Sequence, residues 1–359
     1  MYEIKNPTPN VKKLIEKHNG KLEELINRDL LPPTDRVCVI NICNFRGDEI
    51  PADVFKHIDY GINAESAGDL IILGELMKRV KNGKVDIAAP VRKDVGIYRL
   101  QYNFVRSLKP NTLSKQVLAL DQPFNTDPKS FNYARNDTGI FDQIKNDGLT
   151  VDLRFNYYPF APYHFLWLPD RKKEHNQFLD PKKDKHILEA AWNFVKEHGE
   201  NIWLCYNSLG AHATVNHLHI QGFLTTDDWE PPYAKILREF QGGPEIWSYI
   251  PGAKYFPPSN AVDGLCDFIS EMNDRWKAQE DNAYNFCMNS KGVVCFPRKK
   301  QNEKKYLEQL EKATFTTGPA ILESLGEFVC PVKEISVFEL PIIEKKISEL
   351  YQAMALGGR

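Results

Sequence analysis

The segment YNSLGAHATVNHLHIQGF, residues 206–223, decides how this chain is interpreted. It places His217, His219 and Gln221 at every second position, in a chain that has only nine histidines. Successive side chains of a β-strand point to opposite faces, so this spacing predicts that the three polar side chains share one face. Leu218 and Ile220 would then point into a core. The segment therefore predicts a strand with one polar and one buried face.

The ten residues before these histidines predict a phosphate-binding loop. Residues 207–216, NSLGAHATVN, are rich in small and hydroxyl side chains and lie between two strand-like runs. Such a loop can offer backbone N–H groups and short donors to a phosphate. Neutral imidazole is nucleophilic near pH 7 and can form a covalent phosphoramidate. His219 lies between His217 and Gln221 on the predicted face, which makes it the better candidate for the attacking side chain.

Two other interpretations of the histidine pair stand beside this one. A histidine in a strand is most often a packed structural side chain, and an H-x-H pair also occurs as two ligands of a metal site. The chain has no C-x-x-C pair, and residues 220–359 contain no histidine. We therefore predict no structural zinc, and no second histidine-based active centre in the C-terminal part.

Composition limits the class of protein. The chain has 359 residues, of which 42% are apolar, enough for two ordinary domains or one large two-lobed domain. The 46 basic and 48 acidic residues nearly balance, so the charge does not indicate a nucleic-acid or membrane-surface partner. Seven cysteines without a C-x-x-C pair, a charged N-terminal stretch and the lack of a long apolar window predict a reduced cytoplasmic protein.

Hydrophobic periodicity predicts an α+β fold. Helices are predicted over 11–26, 65–81, 184–198, 261–279 and from about 341 onward. Strands are predicted over 36–43, 95–107, 150–160, 163–170, 201–207 and 216–225, with two more around the turn 289–292. This order predicts a mainly antiparallel sheet with packed helices, partly repeated in the C-terminal half. The predicted regions are an N-terminal lobe, a catalytic region and a repeat-like region, at 1–90, 91–255 and 256–359.

The H-x-H-x-Q core at 217–221 resembles the histidine-triad superfamily, in its nucleotidyltransferase branch alongside galactose-1-phosphate uridylyltransferase. More closely, YNSLGAHATVNHLHIQ resembles the GDP-L-galactose and GDP-D-glucose phosphorylases. GIYRLQYNFV, LALDQPFNTDPKSFNY and NAYNFCMNSKGVVCFPRK are similar to stretches of those enzymes in the same order. The resemblance covers about residues 90–340 and implies a histidine-triad-like fold.

The resemblance implies a two-step reaction without a cofactor. His219 would attack the α-phosphate of a GDP-sugar and expel a hexose 1-phosphate, and inorganic phosphate would then remove GMP as GDP. Gln221 matches the glutamine that binds the transferred phosphate, where histidine-triad hydrolases have a third histidine. An amide cannot exchange protons as imidazole does, which suits a leaving group such as a sugar phosphate that departs as an anion. The residues that match the phosphate-contacting loop are Asn207, Ser208, Gly210 and Thr214.

Further residues are candidates for substrate contacts. Phe131 and Asn132 match the family's F-N stretch and could hold a purine by stacking and hydrogen bonds, although the same residues also suit a turn. His164 matches a histidine beside the site, with a packed core histidine as the alternative. Arg154 could neutralise phosphate charge, with a surface arginine as the alternative, and Asn156 lies on the same predicted face. His212 could contact nucleotide or sugar, or be a solvated loop residue.

The leading hypothesis is a GDP-hexose phosphorylase whose partners are a GDP-sugar and inorganic phosphate. A dinucleoside-polyphosphate phosphorylase shares H-x-H-x-Q and differs in its base preference. A non-catalytic nucleotide sensor would keep the loop without turnover, and a zinc-binding structural protein is the fourth reading. A homodimer is compatible with each of them, and no nucleic-acid or membrane partner is expected.

Overall fold

The computed structural model describes most of the chain. The described residues are 2–56, 58, 67–108, 131, 137–146, 148–213, 215–232, 252–278, 282–301, 308, 316, 320–330 and 340–355. Within them, the helix predicted over 11–26 is confirmed as α1, Pro9–Ile26. The Thr8 hydroxyl caps it by accepting a hydrogen bond from the Val11 N–H at 3.2 Å.

The strand predicted over 36–43 is wrong, because this run lies in helix α2, Pro33–Arg46. Pro33 occupies the first turn, where its missing N–H costs nothing, and Gly47 ends the helix in the left-handed conformation at φ 73°. The helix is buried on nearly every side, so it has no polar face. Apolar periodicity alone cannot separate such a helix from a buried strand.

The next elements follow the predictions in part. The predicted helix over 65–81 is confirmed for α3, Ala67–Met77, and is wrong at its end, because Val80–Lys81 forms strand β1. A hairpin joins β1 to β2, Lys84–Val85. Strands β3, Val91–Val95, and β4, Tyr98–Tyr102, precede a short helix α4, Phe104–Ser107. The strand prediction over 95–107 was therefore wrong after Tyr102, because the Asn103 side chain accepts from the Arg106 N–H and caps a helix.

The described residues form one eight-stranded, fully antiparallel sheet in the order β10-β12-β11-β8-β9-β7-β6-β5. Its strands are β5 Ile140–Asn146, β6 Leu149–Phe155, β7 Phe165–Pro169, β8 Ile202–Asn207, β9 Ile220–Leu224, β10 Lys254–Phe256, β11 Ala283–Asn289 and β12 Gly292–Arg298. Two helices precede strand pairs of this sheet, α5 Pro181–His198 and α6 Ala261–Lys277. The order helix, strand, strand thus occurs twice, which agrees with the predicted α+β fold that is partly repeated in the C-terminal half.

Helices α1, α5 and α6 cover one face of this sheet and form the larger core with it. Leu218 and Ile220 lie in that core, as predicted. The opposite face carries a second apolar cluster, built with a three-stranded sheet and a C-terminal helix. That layer contains β3, β4, α7 Ile321–Ser324, β13 Glu327–Cys330 and α8 Leu340–Met354.

Strands from the predicted third region, 256–359, complete the same sheet as those of the predicted second region. The boundaries at 90 and 255 stay predictions. The cysteines Cys38, Cys43, Cys205, Cys266, Cys287, Cys295 and Cys330 are all free thiols. Among the described residues, no helix combines the length and apolar character needed to cross a membrane.

Candidate active site

His217 and His219 lie just before strand β9, which begins at Ile220. The predicted strand over 216–225 was therefore wrong at its start. The Leu218 N–H donates to the His175 carbonyl at 2.7 Å, and the His219 N–H donates to the Gln177 side chain at 2.8 Å. These backbone groups thus have partners in a connecting segment, so no strand ladder forms here.

Gln177 ties the histidine segment to the end of β8. Its Oε1 accepts from the His219 N–H, and its Nε2 donates to the carbonyls of His219 at 3.1 Å and Asn207 at 2.8 Å. The side chain is fully buried. Sequence reasoning missed this residue, because an isolated glutamine carries no local pattern.

The imidazole of His219 is arranged as a neutral nucleophile. Its Nδ1 lies 2.7 Å from the His217 carbonyl oxygen. A carbonyl can only accept, so the proton lies on Nδ1 and the lone pair on Nε2. Burial lowers the pKa of His219 to about 4, so the ring is neutral at pH 7. The geometry therefore provides an unprotonated Nε2 that can attack an electrophile.

His217 has the opposite tautomer. The backbone N–H of Phe131 donates to His217 Nδ1 at 3.1 Å, so the ring proton lies on Nε2. Burial, with the neighbouring charges of His219 and Arg171, lowers the pKa of His217 to about 3. The Phe131 ring lies against both imidazoles, with centroid separations of 5.3 Å each. Phe131 thus lies next to the candidate nucleophile. A residue that stacks on the base of a bound nucleotide would have to lie close to it.

Arg171 holds the Phe131 main chain in place. Its Nη1 donates to the Phe131 carbonyl at 2.5 Å, and its Nε bonds the Asp152 carboxylate at 2.8 Å. Nη2 bonds Asp137 at 2.5 Å. The arginine itself is buried. Sequence reasoning also missed Arg171, and the basic run RKK gave no sign that its first member turns inward.

Gln221 lies in β9 between Leu166 of β7 and Cys205 of β8. Its Oε1 is 3.2 Å from His164 Nε2, and the Asn156 side chain lies 3.2 Å from the same nitrogen. Burial, with the charge of Arg106, lowers the pKa of His164 well below its usual value. The structure thus brings Asn156 and His164 together directly behind Gln221.

Arg154 belongs to the same row of the sheet, because it pairs with Leu166, which pairs with Gln221. Its guanidinium carbon lies 4.1 Å from the Tyr157 ring centroid and 5.8 Å from that of Phe131. These contacts hold a buried positive charge beside Phe131. The predicted position near the site therefore agrees with the observed one.

The loop after β8 is held from the C-terminal third. Asn207 Oδ1 accepts from Asn285 Nδ2 at 2.7 Å, and Asn285 Oδ1 accepts from Arg298 Nη1 at 2.9 Å. Ser208 Oγ accepts from the Tyr284 N–H at 2.9 Å. Sequence reasoning missed Asn285 and Arg298 as partners of this loop, because they lie more than 70 positions further along the chain.

Gly210 and His212 both need the left-handed backbone region, at φ 81° and 67°. A Cβ on Gly210 would come within 3.2 Å of the Lys300 side chain, so glycine suits this turn. The Gln301 side chain accepts from the His212 N–H at 2.7 Å. Burial and the Arg298 charge lower the pKa of His212 to about 3. Thr214 and Asn132, two predicted contact residues, lie outside the described residues.

Comparisons with known proteins give one family match and a likeness in fold. Residues 96–223, about a third of the chain, match the family model described as GDPGP1-like, N-terminal domain. No curated protein was found to match the chain. The yeast Ap4A phosphorylase Apa2 is 14% identical in sequence, with a TM-score of 0.50 over 82% of this chain and 97% of that one. Its complex with AMP gives 14% identity and a TM-score of 0.48 over 80% and 96%.

The likeness to Apa2 shows that the two proteins share a fold. The matched domain contains His217, His219 and Gln221. These findings show a fold shared with Apa2 and a GDPGP1-like N-terminal domain over residues 96–223. Within the described residues, no group of three or more histidine, cysteine, aspartate or glutamate side chains could hold a metal ion. The predicted lack of a metal site stays a prediction.

Proposed function

We propose that this chain is a GDP-hexose phosphorylase that works through a guanylyl group on His219. The observation that carries the proposal is the 2.7 Å bond from His219 Nδ1 to the His217 carbonyl, which leaves Nε2 unprotonated. The low pKa of about 4 keeps that ring neutral under working conditions. The match of residues 96–223 to a GDPGP1-like domain favours guanine as the base.

Two displacements at the same phosphorus make up the reaction. In the first, His219 Nε2 bonds the α-phosphorus while the bond from that phosphorus to the bridging oxygen breaks. The bridging oxygen leaves with the β-phosphate as hexose 1-phosphate. In the second, an oxygen of inorganic phosphate bonds the α-phosphorus, the P–N bond breaks, and GDP leaves. His219 returns to its neutral form, so no cofactor is consumed.

The surrounding residues take distinct roles in this scheme. Gln221 donates a hydrogen bond to an oxygen of the transferred phosphate, and the buried Arg154 offsets its negative charge. Asn156 and His164 support Gln221 from behind through the contacts at 3.2 Å. The loop contributes backbone and side-chain donors to the phosphates. The proposed loop residues are Asn207, Ser208, Gly210 and Thr214.

Phe131 and Asn132 are proposed to hold the guanine, the ring by contact and the amide by a hydrogen bond. His212 is proposed to face the nucleotide or the sugar from the other end of the loop. His217 contributes its carbonyl, which fixes the tautomer of His219. The roles of Phe131 and His217 rest on their contacts with His219, whereas those of Asn132 and His212 rest on the sequence resemblance.

A dinucleoside-polyphosphate phosphorylase is the alternative, because the fold is shared with Apa2. The same histidine would then carry AMP. Both chemistries use the same first displacement, so the histidine geometry serves either donor. A non-catalytic nucleotide-binding protein would keep the loop and lack product formation.

Product analysis separates these proposals. Purified protein is incubated with phosphate and, in parallel, GDP-glucose, GDP-mannose, GDP-L-galactose or Ap4A. The expected products are GDP and hexose 1-phosphate from at least one GDP-hexose, at a higher kcat/KM than for Ap4A. His219→Asn is expected to be inactive. His198→Asn is a matched control, because this buried histidine lies at the end of α5, where its Nδ1 donates to the Phe194 carbonyl at 2.8 Å. Faster release of ADP and ATP from Ap4A would overturn the GDP-hexose assignment.

A further inference from the structure

We infer that Arg171 is a positioning residue, which sets the tautomer of His217 and the placement of His219 through the main chain of Phe131. This inference rests on the proposed function, since it assigns Arg171 a role in the same site. Nothing in the sequence pattern distinguishes Arg171 from Lys172 and Lys173, which are exposed.

The first link is the arginine itself, which is held rigidly. It is buried, and its guanidinium bonds Asp152 through Nε at 2.8 Å and Asp137 through Nη2 at 2.5 Å. Asp152 is fixed in turn, because Gln143 Nε2 donates to its other oxygen at 2.8 Å. The planar guanidinium presents its donors in fixed directions. The bonds to the two carboxylates therefore also fix the direction in which Nη1 donates.

The second link is the main chain of Phe131, which forms hydrogen bonds through both its carbonyl and its N–H. Arg171 Nη1 donates to the Phe131 carbonyl, and the Phe131 N–H donates to His217 Nδ1 at 3.1 Å. A backbone N–H can only donate, so it requires Nδ1 of His217 to be the unprotonated nitrogen. The arginine thereby acts on His217 through one residue of main chain.

The third link joins this chain to the nucleophile. The His217 carbonyl accepts from His219 Nδ1 at 2.7 Å, and the Phe131 ring lies edge-on to the His219 ring at 5.3 Å. Both contacts set where Nε2 of His219 points. A displacement of the nucleophile by about 1 Å can lower the rate on the order of 100-fold. Contacts that fix the position of the His219 ring therefore affect the reaction rate.

The test is the variant Arg171→Lys, which keeps the charge and loses the fork of donors. Histidine ¹⁵N NMR of the full chain reports the tautomer of His217, with its signals assigned by their loss in His217→Asn. The rate at which GDP-glucose forms the guanylyl adduct is measured in a single turnover. The expected result is a mixed tautomer at His217 and an adduct rate that is about 10- to 100-fold lower.

Matched variants separate positioning from general destabilisation. Arg99→Lys changes an arginine of β4, in the three-stranded sheet, that bonds Asp94 and the Glu230 carbonyl. It should leave the His217 tautomer and the adduct rate unchanged. If Arg171→Lys does not fold, Asp152→Asn tests the same link, because it weakens the hold on Nε without removing the arginine.

An unchanged His217 tautomer in Arg171→Lys would overturn the inference, and so would a changed tautomer with an unchanged adduct rate. If the unaltered protein forms no adduct with any donor, the proposed function fails. The tautomer measurement still decides the structural link in that case, because it needs no turnover.

Discussion

The side chain of Gln177 bonds both main-chain groups of His219, a residue that lies 42 positions later. Its Oε1 accepts from the His219 N–H at 2.8 Å, and its Nε2 donates to the His219 carbonyl at 3.1 Å. The same Nε2 donates to the Asn207 carbonyl. The buried amide of Gln177 therefore forms the hydrogen bonds between β8 and the histidine segment that main-chain groups form between paired strands.

Replacing Gln177 with leucine should destabilise the protein and slow adduct formation. The change leaves one N–H and two carbonyl groups buried without this partner, at a cost of about 1–3 kcal/mol for each such group. For the three groups together, we expect the free energy of unfolding to fall by roughly 3–9 kcal/mol in urea denaturation. Gln177→Glu keeps an acceptor for the His219 N–H but places a buried carboxylate oxygen against the two carbonyls, so it should also be destabilised. Equal stability of Gln177→Leu and the unaltered protein would contradict this role.

The rate of adduct formation should be insensitive to pH from about 8 down to 5. Burial lowers the pKa of His219 to about 4, so the lone pair on Nε2 is lost only when the pH falls through that value. The measurement is the single-turnover rate of adduct formation in overlapping buffers. An inflection near pH 6.5, the ordinary value for histidine, would show that His219 is not held in this way.

Stability should fall as the pH is lowered from about 6.5 toward 4. Burial lowers the pKa of His18, His212 and His217 to about 3 each, below the value these groups have in the unfolded chain. The unfolded chain then binds more protons in this window, at a cost of up to about 1.4 kcal/mol per pH unit for each histidine. His18→Leu, in an aromatic pocket with Phe141 and Phe155, should make the slope shallower. A stability independent of pH between 7 and 5 would contradict the prediction.

Gln221→His should change which leaving groups the protein accepts. A glutamine cannot donate a proton to a departing amine, whereas a histidine can. We expect the ratio of kcat/KM for guanosine 5′-phosphoramidate to that for GDP-glucose to rise at least about tenfold. Gln221→Asn keeps an amide and should leave this ratio low. The explanation of the glutamine fails if both variants show the same ratio.

The sequence predicted the elements whose signals are local. The strands predicted over 150–160 and 163–170 are apolar runs, and the helix predicted over 184–198 shows a clear period. The structure has β6, β7 and α5 there, although β6 ends at Phe155, five residues before the predicted end. The role of the histidine pair could be predicted because the residues that indicate it lie within a segment of five. Buried helix α2 gave no such signal, because all its faces are apolar or covered.

The residues that hold the candidate site in place could not be predicted from the sequence in the same way. Gln177 and Arg171 act on main-chain groups of residues about 40 positions away, and a backbone partner leaves no mark in the sequence. Asn285 and Arg298 reach Asn207 only because β11 pairs with β8. Such contacts follow from strand order, which depends on the whole fold.

The most direct test of the covalent mechanism is the intact mass of the protein after mixing with GDP-hexoses or Ap4A in the absence of phosphate, with His219→Asn alongside. We expect one added GMP on the unaltered protein only, mapped to the peptide that contains His219 and released as GDP when phosphate is added. A protein that turns over a GDP-hexose without any adduct, or that carries the adduct equally in His219→Asn, would contradict it.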